Sequence, residues 1–153
     1  MLRFGILASA VPLVLAGLFA QSELLPGPKP CIEAGGSSLQ IAEAPWHADL
    51  HVAFTEVPQT ATVRVQIVES AESADFAMVD GPDSLEPNAC RGAPRFVAIS
   101  TYPPASAPII YLSTEGGADY RIFVRSKTFS LREAAALVVG ANGGRARIAA
   151  ASL

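Results

Sequence analysis

The sequence predicts an α+β domain: a mainly antiparallel β-sheet of about six strands with one C-terminal helix, behind an N-terminal signal peptide or membrane anchor. Three observations carry this. Between residues 46 and 125, short apolar runs alternate with polar residues at period two, as half-buried strands do. One run between 130 and 144 keeps helical spacing, with a capping pair ahead of it and glycines behind. Residues 1–20, MLRFGILASAVPLVLAGLFA, set a single Arg3 before an apolar run from Phe4 to Ala20.

A basic start, a hydrophobic middle and a small residue at the cleavage point make the layout of a secretory signal. Cleavage after Ala20 puts Leu18 and Ala20 at the two recognition positions, and Leu18 is bulkier than the residue preferred there. The run also reaches the length of the shortest membrane-spanning helices, about 17 residues. A retained anchor is therefore the alternative. In both cases Arg3 holds the N-terminus on the cytoplasmic side, so the domain is expected to be periplasmic or secreted, or held at the inner membrane if uncleaved. Membrane contact is expected only through this segment. Nine arginines against two lysines, with abundant alanine and proline, suggest a GC-rich bacterial genome and hence a Gram-negative envelope.

Removing the leader leaves 133 residues, enough for one domain with a proper core. Residues 21–45 read as a tether. Pro26, Pro28 and Pro30 favour an extended backbone, and Gly35, Gly36, Ser37 and Ser38 add freedom before Leu39–Ala42. The globular domain is expected over 46–144. Ala48–Phe54, Val63–Ile67 and Phe76–Val79 alternate as strands, and Asp80-Gly81-Pro82 ends the third. After a loop over 81–94, strands resume at Phe96–Thr101, Ile109–Leu112 and Tyr120–Arg125. Ser130 and Glu133 form a capping box for the helix, which stops at Gly140, Asn142, Gly143 and Gly144. Residues 145–153 read as a flexible tail.

A faint echo runs through these elements. Ala48-Asp49-Leu50, Ala74-Asp75-Phe76 and Ala118-Asp119-Tyr120 each open a strand, and VQIVES-AES-ADFAMV resembles IYLSTE-GG-ADYRIFV. The expected meaning is two similar hairpins, with an Asp at each turn satisfying nearby backbone amides.

Cys31 and Cys90 are both in the exported part, an even count without CxxC spacing, and are expected to form a disulfide. Charge is uneven. Residues 21–90 hold eleven acidic and two basic side chains, and residues 91–153 hold three and eight. Either the halves interleave and pair their charges across strands, or the surface is bipolar. The mature net charge of −4 gives no reason to expect nucleic acid as a partner.

Chemistry is sparse. His47, Asp49 and His51 fall at i, i+2 and i+4 of the first expected strand, on one face. Two imidazoles and a carboxylate suit zinc or copper, but the outer two stand about 13 Å apart along a strand, so a pair would need a ligand from elsewhere. Alternation already calls for polar residues there. Asp75, Asp80, Asp83 and Glu86 lack the spacing of a calcium loop. Arg121, Phe123, Arg125 and Lys127 share one face of the last strand and, with Arg132, form a basic patch suited to an envelope protein or an anionic polymer. No GxSxG, SxxK, HExxH, phosphate-binding or dinucleotide motif is present. The expectation is a small exported, non-catalytic binding domain of the cell envelope with no cofactor. The alternative is a periplasmic metal-binding protein using His47, Asp49 and His51.

Overall fold

The computed structural model describes residues 30–81, 90 and 92–145. The leader, the start of the expected tether (21–29), most of the expected loop (82–89 and 91) and the tail from 146 lie outside the described residues. The strands are β1 (Ile32–Ala34), β2 (Ser37–Ile41), β3 (Leu50–Phe54), β4 (Val63–Ile67), β5 (Phe76–Val79), β6 (Arg95–Ile99), β7 (Ile109–Ser113) and β8 (Tyr120–Arg125). One α-helix among the described residues, α1 (Leu131–Ala141), follows. All eight strands form one sheet in the order β1-β2-β6-β3-β7-β4-β8-β5, curled into a half-barrel. This is a sheet-dominated α+β fold.

Eight strands replace the expected six, because residues 32–41 are sheet rather than tether. Gly35 and Gly36 take positive φ (58° and 76°), the two-residue hairpin turn that lets β1 pair antiparallel with β2. That pairing seats Leu39 in the core with no exposed surface.

The larger correction concerns direction. Among the described residues only β1–β2 is antiparallel, and the other six pairings are parallel. Short connections usually mean hairpins, since parallel neighbours need a long crossover. Here the strands are staggered so that no return is needed. Ile41, which ends β2, and Leu50, which begins β3, both stand opposite Val97 of β6, which lies between them. In the same way Phe54 and Val63 face Ile110, and Ile67 and Phe76 face Ile122. Each new strand starts at the height where the last one stopped. The chain therefore only steps sideways over one strand.

Two runs climb in this manner and interdigitate: β2 to β5, then β6 to β8. The first run repeats every 13 residues, with strands beginning at 37, 50, 63 and 76 and 3-10 turns at Pro45–His47, Pro58–Thr60 and Ala71–Ser73. The first strand of the globular region thus starts at Leu50, and His47 belongs to a turn.

The inward faces of the strands share one core with α1, which packs chiefly against β2, β6 and β8. Val52, Val63, Val65, Val97, Ile110 and Ile122 pack with Leu137 and Val139 in one core. Ser130 and Glu133 cap the helix reciprocally at 3.2 and 2.8 Å, as expected. Residues Ala134 to Gly140 are all buried. Gly140 is there because nothing larger fits: a β-carbon would lie 2.9 Å from Val97 Cγ2. The connections pass over the outer face. Outward His51 shares a 2.9 Å hydrogen bond with Ser100, and outward Gln66 Nε2 donates to the Thr114 carbonyl at 3.2 Å. Ala53 and Ala98 are buried under these straps although they point away from the core.

Candidate functional site

The polar residues at strand starts have one shared task. Asp49 donates its backbone N–H to the Phe96 carbonyl (2.9 Å) and accepts the Phe96 N–H on Oδ2 (2.8 Å). Thirteen residues on, Thr62 makes the same two-point clamp on Ile109, at 2.9 Å for both bonds. After another thirteen, Asp75 clamps Arg121 at 2.7 and 2.8 Å. From the second run, Asp119 clamps Arg64 at 2.9 and 2.8 Å. The three Ala-Asp-apolar triplets therefore do satisfy backbone amides, across parallel neighbours rather than within hairpins.

Asp80 ends the series differently. The Ser126 hydroxyl donates to its Oδ1 at 2.5 Å and the Lys127 N–H to its Oδ2 at 2.6 Å. Ser126 Oγ in turn accepts the Thr128 and Phe129 N–H groups, which sets the turn into α1. The hydroxyl of Ser126 first, and the amide of Lys127 second, hold the Asp80 carboxyl below the ordinary aspartate range.

These bonds decide what the expected site residues can do. His47 lies in an exposed turn against Trp46, ring centroids 6.0 Å apart. Asp49 holds β6, and His51 is bonded to Ser100. Asp49 and His51 do line a cavity of about 270 Å3 with Ser106, Pro108, Gly140 and Gly144. Among the described residues no group of three or more His, Cys, Asp or Glu is placed to hold a metal ion. Asp49 serves as a clamp and His51 as a strap contact, while His47 does neither.

Cys31 and Cys90 form the expected disulfide, with Cα atoms 5.8 Å apart. A disulfide belongs to an oxidising compartment outside the cytoplasm. No helix among the described residues is long and apolar enough to cross a membrane.

The basic patch divides. Arg121 is neutralised by Asp75 at 3.3 Å, its side chain 52% exposed over a carboxylate at 15%. This is cross-strand pairing between the acidic and basic halves. Arg125 sits 5.8 Å from the Phe123 ring centre, and Arg132, in the first turn of α1, stacks 4.4 Å over Phe54. Arg64, Arg125, Lys127 and Arg132 form no ion pair with any described residue. Three of these four stand where β8 runs into α1. Sequence reasoning missed two exposed aromatics on outer straps, Trp46 (80% exposed) and Tyr102 (94%). Period-two alternation carries no signal for a residue outside a strand.

The fold and site define a half-barrel of two interleaved parallel runs around a buried helix. Compared with known protein families, curated proteins and solved structures, the chain matches none.

Proposed function

We propose that this chain is a small non-catalytic binding domain of the bacterial cell envelope, exported by its leader, that takes an anionic partner at the junction of β8 and α1. One observation carries this reading: Arg125 at the end of β8, Lys127 just after it and Arg132 in the first turn of α1 are exposed, and their side chains form no ion pair with any described residue, while neighbouring Arg121 is already paired. A cation concentrated on a rigid scaffold steers and holds anions, and arginine does so with directional hydrogen bonds. Phe123, half-buried beside Arg125, adds an apolar contact. The leader and the disulfide support the location, periplasmic or anchored to the inner membrane.

The test is retention of the mature domain on immobilised polyglutamate over a salt gradient. Arg125→Glu with Lys127→Glu is expected to abolish retention at low salt, whereas Arg121→Glu keeps most of it. Equal retention of the double variant and the parent overturns the assignment.

A further inference from the structure

A sheet made of repeating steps needs something to stop it, since each new strand offers an open edge to the next. Among the described residues β5 is the last strand of the sheet and pairs with β8 alone. Its sequence, Phe76-Ala77-Met78-Val79, has no charge and no proline, the usual protections of an edge. The sheet's other edge, β1, has both shortness and Glu33. The two edges border one groove of about 390 Å3, lined by Ile32, Ala34, Phe76, Met78 and Val124 and floored by Val138. By composition this edge should recruit strands.

The repeat shows what prevents it. The last inward residue of each first-run strand meets the buried centre of the strand beyond: Ile41 meets Val97, Phe54 meets Ile110, Ile67 meets Ile122. Thirteen residues after Ile67 stands Asp80. A strand added beyond β5 would have to cover that carboxylate with an apolar residue, removing it from water without a compensating charge. The carboxylate is moreover bound to Ser126 and Lys127, which lead into the helix that replaces a further strand.

We infer that Asp80 is the stop residue of the spiral, a gatekeeper that keeps the β5 edge from pairing with a strand of a second copy of this chain. The second copy is the occupant guarded against because its own β5 presents the same uncharged, unprotected edge, so two copies would offer each other identical strands.

The experiment measures molar mass by light scattering for the folded, disulfide-bonded mature domain. The parent is expected to be monomeric, and Asp80→Ile to show at least double the mass. Asp80→Lys loses the same hydrogen bonds but keeps a charge at the edge, and is expected to stay monomeric. Ala77→Lys added to Asp80→Ile restores the monomer by charging the outward face of the same strand. Association of Asp80→Lys equal to that of Asp80→Ile would show that loosening of the turn is the cause and overturn the proposal. A folded, monomeric Asp80→Ile overturns it too, as does a parent already dimeric through β5. If Asp80→Ile does not fold, Asp80→Asn decides: a concentration-dependent rise in mass supports the gatekeeper, and none refutes it.

Discussion

The two runs of strands solve one geometric problem with different tolerances. In the first run every step is eight residues long: 42–49, 55–62 and 68–75. In the second the steps are nine and six, 100–108 and 114–119. Yet the second run's buried centres, Val97, Ile110 and Ile122, meet the first run at equivalent positions. The difference lies in the clamps. Three of the four clamps, Asp49, Thr62 and Asp75, project from the first run onto the starts of β6, β7 and β8, against one, Asp119, that returns from the second run to Arg64. The first run is the template, and the second is held in register by it. Loop length is thereby freed in the run that is held and constrained in the run that holds.

The largest effect should come from cutting the link between the runs. Cys31 precedes β1 and Cys90 precedes β6, so the disulfide ties the head of one run to the head of the other. Changing both to serine is expected to cost about 4 kcal/mol, the loop-entropy value for a separation of this size, read by urea unfolding of oxidised parent and variant. Retention of parent stability in the double variant would mean that the clamps alone align the runs. The comparison is sharpened by inserting one glycine into each run. Between Gln59 and Thr60 it displaces Thr62 from Ile109 and should cost about 2 kcal/mol, for two hydrogen bonds. Between Thr101 and Tyr102 it lengthens an exposed strap and should cost well under about 0.5 kcal/mol. Equal losses would end the distinction between template and follower.

The smallest effect concerns the end of the first run. Because the folded state lowers the Asp80 pKa, its contribution is complete above the ordinary aspartate value and disappears as pH falls through the lowered one. Thermal melts of the parent and Asp80→Asn should differ most at neutral pH and converge in acid. A gap that stays constant with pH would show that the charge plays no part in the latch.

Much of this was legible in the sequence. The capping box at Ser130 and Glu133, the strands at Val63–Ile67, Phe76–Val79 and Tyr120–Arg125, and the cysteine pair could all be read because each depends on neighbours in the chain or on simple chemistry. Strand direction was not, because alternation gives the same pattern in parallel and antiparallel sheets, and the stagger that permits short parallel steps exists only between distant residues. Gly35-Gly36 was readable as a hairpin but stood next to a proline-rich stretch, whose composition outweighed it. At the candidate site, the residue types at 47, 49 and 51 suggested a ligand set, while the hydrogen bonds that engage Asp49 and His51 come from Phe96 and Ser100, nearly fifty positions away. The pairing of Arg121 with Asp75 was hidden for the same reason. What the charge asymmetry did convey was that an acidic half and a basic half would meet.

Interleaving also sets the timing of folding. No strand from β3 to β5 pairs with another of its own run, since every strand it pairs with is encoded 40 or more residues later. A nascent chain that has delivered only the first run holds its four strands and no parallel partner for any of them. Pairings this distant in sequence form in milliseconds to seconds rather than microseconds. The parallel ladder therefore cannot begin until β6 has emerged, and it is complete only once β8 and the helix have followed.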